Sequence, residues 1–542
     1  MSSNLTESAG RLSRRVRSQV HPQRYQSKRW PGGRPASACF AYVTPLVPLL
    51  AAISTILPLV LQVQVAEYDE AVFLDVARNI QRIGTPLRSI GEAGTLYLIH
   101  TPLYPYLVAA CGHACTANVL LARLITVLAA LGCVSLTFLI GKRIADTYSG
   151  LVAAVLLALN PFFAVYSFFV TMEVPMLCAS LAGLWLLLLS ERGKRQGWLW
   201  AAGCAFAVAV LLKEFALLFI ACAGLYIVLV RRAEEHRAQI PWGALTALLC
   251  PAAFGLTAWA VWGWESSPIG FISAMQRWLG SIAPGSAGDA RTLISASQWD
   301  RQIASDLLGP GLLAGVLLVA ALWLAGGRRR LTPEQCLLWG YLISAIALSF
   351  LTHLKELRHI IGTIPVAALV IGTGLEWRKE FSRWRLSRGL PKVLVALAAV
   401  LLLSLASPVR VPLTRPAGIS DWLAPFYAQR LLRSDPFYNV LRLAGIYIRN
   451  HAPAEEELVV AHQATVVAYY ADRHYNMLYT LSQEGIMQVL AHTNHLLWDD
   501  PILTRLDGEQ VKEVQEYVAQ HFDVEQIIQD EHRRITYYRR KN

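Results

Sequence analysis

The chain has 542 residues, 55% of them hydrophobic and 16% charged, with a formal charge of +12. Soluble domains carry roughly 25% charged residues. The shortfall, with a mean hydropathy of +0.40, excludes a disordered chain and argues against an ordinary cytosolic enzyme. The positive balance invites a nucleic-acid reading, which stands or falls on where the charge sits.

A bilayer core asks for about 20 apolar residues per helix, and the sequence offers eleven candidate runs. The first, 42–65, follows a basic tail (1–41, expected to be disordered) that carries Arg11, Arg14, Arg15, Arg17, Arg24, Lys28, Arg29 and Arg34. It is too long and too far from residue 1 for an ordinary cleaved signal peptide. The others are 118–140, 150–166, 172–190, 197–212, 215–230, 241–262, 307–325, 335–352, 359–375 and 392–407. Lys and Arg of short loops stay cytoplasmic. With the tail inside, alternation also puts inside Lys142-Arg143, Arg192 with Lys194 and Arg195, Arg231-Arg232, Arg328-Arg329-Arg330, and the segment from Arg378 to Lys392 with Arg383, Arg385 and Arg388. Eleven spans accommodate every basic segment without a violation.

The opposite side receives a long first loop (66–117), a loop near 263–305, and everything from about 408 onward. In 408–542, strand-like runs Leu458–Ala461, Tyr475–Tyr479, His495–Trp498 and Asp523–Gln529 alternate with helical stretches near 463–471, 482–491 and 507–520, the pattern of a small α/β domain. The expected fold is therefore an all-α polytopic membrane module over 42–407, with about 11 transmembrane helices and an extracytoplasmic C-terminal α/β domain. From 408 on there are 14 Lys and Arg against 17 Asp and Glu, so the positive charge lies in the tail and inner loops. It marks membrane sidedness, and the nucleic-acid reading falls. No G-x-G-x-x-G, Walker sequence or fixed-period repeat is present.

Ionisable residues at membrane depth are functional candidates by default, and here they gather at the outer ends of helices. Asp69 and Glu70 follow the first span and Glu173 opens the fourth. Lys213 and Glu214 join spans five and six, and Lys355, Glu356, Arg358 and His359 join spans nine and ten. After Asp69-Glu70, apolar Val72, Phe73, Val76 and Ile80 recur at helical spacing, which suggests an amphipathic helix along the membrane surface with its acids at the N-terminal, dipole-favoured end. His100-Thr101-Pro102-Leu103-Tyr104-Pro105 then returns the chain to the membrane. Taken singly, the Asp-Glu pair reads as helix capping, the His as structural, and the basic residues as snorkelling or local pairing. Cys111, His113 and Cys115 form a C-x-H-x-C cluster, but with no further ligands nearby a metal site or disulfide gains little support. The 9 cysteines end at Cys336 and show no disulfide or zinc framework. Trp262, Trp264, Trp278 and Trp299 suit an interfacial belt better than sugar stacking.

The combination says more than its parts. The D-E pair after span one, H-T-P-L-Y-P, N-P-F-F followed by M-E-V-P-M, L-L-K-E, and Arg358-His359 together resemble the GT-C glycosyltransferases. The likeness is to glycosyltransferase family 39 and bacterial relatives: protein O-mannosyltransferases, lipid A aminoarabinose transferase-like enzymes and Rgt-type enzymes of lipopolysaccharide cores. It extends over about 60–375 in order, while the C-terminal part agrees in placement more than in sequence. It implies that Asp69 is the base or acceptor-orienting group, that Glu70 is its acidic neighbour, and that Glu173 is a second active-site acid. Lys213 and Arg358 would lie near the lipid phosphate, with His100, Lys355 and His359 as further substrate-binding candidates. Relatives often carry H-P-P-L where this chain has His100-Thr101-Pro102-Leu103, a tyrosine at His359, and a glycine at Glu214.

The implied chemistry moves a sugar from a polyprenyl-phosphate donor to a glycolipid, polysaccharide or protein acceptor. A base must take the acceptor proton and cations must stabilise the departing phosphate. With no separate nucleophile evident, displacement in one step with inversion is expected. A divalent metal on Glu70, Glu173 or His100 is left open as a cofactor. Two alternatives stay beside this reading: a secondary transporter, which would favour midplane charges and repeat symmetry, and a non-catalytic protein of glycan assembly or export.

Overall fold

The computed structural model describes residues 46–60, 68–90, 94–193, 195–235, 241–282, 303, 307–325, 331–351, 357–374, 436–453, 456, 458–460, 464–478, 482–499, 508–529 and 534–541. The chain divides between Thr44 and Pro45, and all described residues belong to the second unit. The expected span 392–407 and the boundary at 407/408 lie outside them, as do Lys355 and Glu356.

Within the described residues, each apolar run up to 359–375 falls mostly on helix. The helices are α1 (Leu46–Val60), α5 (Val119–Ile144), α6 (Thr147–Ala158), α7 (Pro161–Tyr166), α8 (Glu173–Gly193), α9 (Gln196–Leu212), α10 (Leu217–Glu235), α11 (Trp242–Ser266), α13 (Gly309–Ala325), α14 (Pro333–Leu351) and α15 (Thr363–Gly374). Between them lie α2 (Tyr68–Ile83), α3 (Leu103–Ala110), α4 (His113–Ala117) and α12 (Pro268–Ile282). Among the described residues, four helical stretches are long and apolar enough to cross a membrane: Val119–Ile144, Glu173–Glu191, Glu214–Arg231 and Trp242–Ser266. The run 150–166 is not one straight rod. Asn160 ends α6 and caps α7, accepting from the Phe163 N–H at 2.9 Å while its amide donates to the Leu307 carbonyl at 3.1 Å. Pro161 occupies the first turn of α7, where a missing N–H costs nothing.

Close helix packing depends on glycine. A Cβ on Gly203 of α9 would stand 2.2 Å from the Ala247 carbonyl oxygen of α11, so the two backbones meet there. At the α5–α6 turn, Asp146 caps α6 by accepting from the Ser149 N–H at 2.9 Å, and Arg143 donates to the Leu188 carbonyl of α8 at 2.8 Å.

The first-loop helix departs from expectation. α2 forms where the apolar spacing placed it, with Asp69 and Glu70 in its first turn, but its middle is enclosed by protein. Ala71, Val72, Phe73, Leu74, Asp75, Val76 and Ala77 are all buried, and Phe73 meets Tyr104 edge-on at 5.2 Å between centroids. The apolar stripe packs on the chain's own aromatics instead of on lipid. The opposite face is satisfied by polar contacts: Asp75 accepts from the Ser89 N–H at 2.9 Å and its hydroxyl at 2.7 Å. Burial raises the Asp75 carboxyl above its ordinary range despite those two bonds and the charges of Arg78 and Arg88.

Beyond 436 the described residues form α16 (Pro436–His451), β3 (Leu458–Val460), α17 (Ala464–Ala471), β4 (Tyr475–Met477), α18 (Gln483–His492), β5 (His495–Asp499), α19 (Gly508–His521), β6 (Phe522–Gln529) and β7 (Arg534–Arg540). The five strands stand in the order β4-β3-β5-β7-β6. β3 runs parallel to β4 and β5, and β7 runs antiparallel to β5 and β6. β7, whose R-I-T-Y-Y-R-R sequence alternates only loosely, is absent from the strands read in the sequence. Its ladder to β5, from His495 opposite Arg539 to Asp499 opposite Ile535, joins the parallel and antiparallel halves.

The sheet is tied to the first loop. β1 (Leu87–Arg88) and β2 (Thr95–Leu96) form a small hairpin, and next to it the Tyr475 N–H donates to the Ser89 carbonyl at 2.9 Å. Arg78 and Arg82 of α2 both pair with Asp472 at 2.7 Å, and Arg78 lies over the Tyr469 ring. Asp472 has a φ of 56°, a left-handed conformation that Asp tolerates better than most residues.

Candidate active site

Four separate stretches deliver charge to one place. Asp69 comes from the first turn of α2, Glu173 from the first residue of α8, Lys213 from the end of α9, and Arg358 from a 3-10 turn, Leu357–Ile360, before α15. Lys213 Nζ donates to Glu173 Oε1 at 2.6 Å, with both side chains nearly inaccessible. Arg358 pairs with Asp69, and its Nε also lies 3.8 Å from Glu173 Oε1. The guanidinium thus bridges two carboxylates, a use suited to its planar set of donors. Asp69 and Arg358 keep 25% and 19% of their side-chain exposure, so this half of the cluster is reachable. The other oxygen of Glu173, Oε2, is buried with no hydrogen-bond partner among the described residues.

The termination of α9 explains where Lys213 sits. Lys213 has extended backbone, φ −159° and ψ 132°, which breaks the helix and turns the chain into a 3-10 turn at Glu214–Ala216. Phe215 of that turn lies under Lys213 Nζ at 5.5 Å and stacks on His359 at 4.5 Å with an interplanar angle of 9°. His359 lies within electrostatic reach of Lys213, Arg358 and His100. His100 Nδ1 meets Glu214 Oε1 at 2.9 Å. Tyr97, its ring 6.4 Å from that of His100, senses Asp69, Glu173 and Glu214. Burial, reinforced by these carboxylates, raises its phenol well above the ordinary value although Arg88 opposes them.

Glu70 goes elsewhere. It accepts from Arg123 Nε and Nη2, both at 2.8 Å, and from the Val170 N–H at 2.9 Å, and both side chains of the pair are fully buried. Successive residues of a helix project about 100° apart. When Asp69 faces Arg358, Glu70 therefore faces α5. The structure joins Asp69, Glu173, Lys213 and Arg358 and brings His100 and His359 alongside, while Glu70 turns into the protein. Nor do Glu70, Glu173 and His100 meet as metal ligands. Glu70 pairs with Arg123, Glu173 with Lys213 through Oε1, and His100 with Glu214, and among the described residues no three His, Cys, Asp or Glu side chains gather to hold an ion. Trp264 is half exposed, as an interfacial residue would be; the side chains of Trp278 and Cys115, and the whole of Trp299, lie outside the description.

Two participants escaped the sequence reading. Arg123 is a lone charge in the apolar helix Val119–Ile144, and the cost of burying it unpaired was a legible signal that a carboxylate awaits it. The Glu214–His100 bond joins positions 114 residues apart, and nothing local announced it.

Residues 99–259 match the family model described as dolichyl-phosphate-mannose-protein mannosyltransferase. The match includes His100, Glu173 and Lys213 and leaves out Asp69 and Arg358. The fold is similar to that of ArnT from Cupriavidus metallidurans bound to undecaprenyl phosphate, with a TM-score of 0.60 at 13% identity over 93% of this chain and 98% of that one. Over residues 99–259 the chain is similar to that mannosyltransferase family, and its fold is similar to that of ArnT. A second likeness is to the archaeal oligosaccharyltransferase AglB from Archaeoglobus fulgidus, in complex with an inhibitory peptide and a dolichol-phosphate, with a TM-score of 0.56 at 12% identity over 86% of this chain and 70% of that one. At such identities these structures establish the fold alone. No curated protein sequence matches the chain.

Proposed function

We propose that this protein transfers a sugar from a polyprenyl-phosphate-linked donor to an extracytoplasmic acceptor (a glycolipid, a polysaccharide or a protein) by single-step displacement with inversion. The observation that carries the reading is the bridge made by Arg358 between Asp69 and the Glu173–Lys213 pair. That arrangement sets two cations and two carboxylates at the ends of apolar helices. A lipid phosphate entering from the bilayer is a strong acceptor for both Lys213 and Arg358. Its arrival gives them a new anion, and releases Asp69 and Glu173 to face the sugar and the acceptor hydroxyl. As the bond from the anomeric carbon to the phosphate oxygen breaks, the same cations stabilise the charge left on phosphate. Asp69 acts as base or as the group that orients the acceptor. Glu173 Oε2, buried and without a hydrogen-bond partner among the described residues, accepts from a substrate hydroxyl once the phosphate has drawn Lys213 and Arg358 away. Glu70 supports α2 through Arg123 without touching substrate. Glu70, Glu173 and His100 are held by different partners, and these steps are carried by the chain's own side chains.

The pattern of basic loops supports a multi-pass protein of the cell (inner) membrane with a cytoplasmic N-terminus, eleven spans and the α/β part outside. The undecaprenyl and dolichol phosphates named with the similar structures support the donor class. The deciding experiment incubates membranes containing the protein with a panel of labelled polyprenyl-phosphate sugars and follows where the label moves. Transfer is expected from at least one donor, and Asp69→Asn is expected to abolish it while leaving membrane insertion intact. Full transfer by that variant would remove Asp69 from the chemistry.

A further inference from the structure

A displacement of this kind releases a proton from the acceptor hydroxyl, and a His–Glu pair lies beside the charge cluster. His100 Nδ1 lies 2.9 Å from Oε1 and 3.2 Å from Oε2 of Glu214. The side chains retain 24% and 12% of their exposure, enough for a substrate to reach the ring. The two segments are also fastened independently of this pair: the hydroxyl of Thr101, next to His100, donates to the Leu211 carbonyl at the end of α9. A carboxylate on Nδ1 selects the tautomer with the proton on Nδ1 and leaves the Nε2 lone pair available. Glu214 is the charged partner of the imidazole, Lys213 acts on Glu214, and His359 lies within electrostatic reach of His100, Lys213 and Arg358, which sets the pair beside the charge cluster. Asp69 itself is held by Arg358.

We propose that His100, oriented by Glu214, is the general base of the transfer; this rests on reading the site as a glycosyl-transfer centre. Nε2 takes the acceptor's O–H proton. The electron pair freed on oxygen forms the new bond to the anomeric carbon, while the bond from that carbon to the phosphate oxygen breaks. The departing pair remains on the phosphate, held by Lys213 and Arg358, and Glu214 stabilises the imidazolium until solvent takes the proton. Glu214 is then a positioning residue, and Asp69 orients the acceptor.

The test uses the full-length protein in lipid nanodiscs, with the labelled polyprenyl-phosphate sugar that the unaltered protein transfers. His100→Ala is expected to lower kcat by about 10²–10⁴-fold with the KM for the lipid donor within about twofold, and added imidazole to restore at least about tenfold. Glu214→Gln is expected to lower kcat by about 10–100-fold at unchanged donor KM, and Glu214→Asp by less. If His100→Ala does not remain monodisperse, His100→Gln, which keeps a hydrogen bond to Glu214, replaces it. A near-normal kcat in either His100 variant overturns the proposal, as does a raised donor KM without imidazole rescue, which makes His100 a donor-binding group. Failure of the unaltered protein to transfer from any donor instead overturns the underlying reading, and this proposal with it.

Discussion

Removing the charge of Glu70 tests whether this acid is catalytic or structural. In the structure it accepts two bonds from Arg123 at 2.8 Å and one from the Val170 N–H, with both charged side chains inaccessible. At 2.8 Å and an effective dielectric near 20, the Coulomb attraction is about 6 kcal/mol. Most of that is offset by the cost of taking both charges out of water, so the intact pair is worth far less. Breaking it from one side leaves Arg123 buried and uncompensated, a loss of about 3–5 kcal/mol. Glu70→Gln should therefore shorten the lifetime of the monodisperse protein on heating. Glu70→Leu combined with Arg123→Met, which removes both charges at similar volume, should recover most of the loss. The assay is thermal denaturation of the detergent-solubilised protein followed by size exclusion, run on both single variants and the double. Activity per folded molecule should survive in the double variant. A Glu70→Gln protein that is as stable as the parent yet inactive would refute the assignment and return Glu70 to the chemistry.

The clamp between α2 and the sheet region responds to acid. Burial works against the Asp472 charge, but the Arg82 hydrogen bond and the charges of Arg78 and Arg82 outweigh it and hold the carboxyl below its usual range. A depressed carboxylate contributes stability that is fully present above its ordinary value, about 3.9, and lost as pH falls through the lower folded value. Hydrogen exchange of α17 should accordingly rise below about pH 4, and Asp472→Asn should raise it already at neutral pH, by about 1 kcal/mol in opening free energy. Gly203→Val should prevent α9 and α11 from closing, because a Cβ there would stand 2.2 Å from a backbone oxygen, whereas Gly243→Ala, with open space around it, should be neutral in the same thermal-denaturation assay. Lys213→Gln should raise the donor KM and lower kcat together, since its cation serves both bound donor and departing phosphate; an unchanged KM would place the phosphate elsewhere.

Much of this protein was legible in the sequence because hydrocarbon is a strict solvent. Apolar length located the helices, and a lone Asp-Glu, Glu173, Lys213 and Arg358 stood out because unpaired charge is expensive at membrane depth. Local alternation found β3 to β6. Three things needed the tertiary structure. Glu70 and Asp69 are neighbours in sequence but diverge by the pitch of a helix, so only the packing of α2 decided which one meets Arg358 and which meets Arg123. The apolar stripe of α2 fits lipid or protein equally well by periodicity, and the aromatics Tyr97 and Tyr104 with the Asp472 clamp decided for protein. Finally, Glu214 and His100 are far apart along the chain, and their bond exists because the break in α9 at Lys213 and the turn at Thr101 bring them together. Hydropathy and charge are properties each residue carries alone, so the sequence determined the helices and the inventory of acids and bases. Pairing is a property of two residues at a distance of a few ångströms, and only the fold decides it.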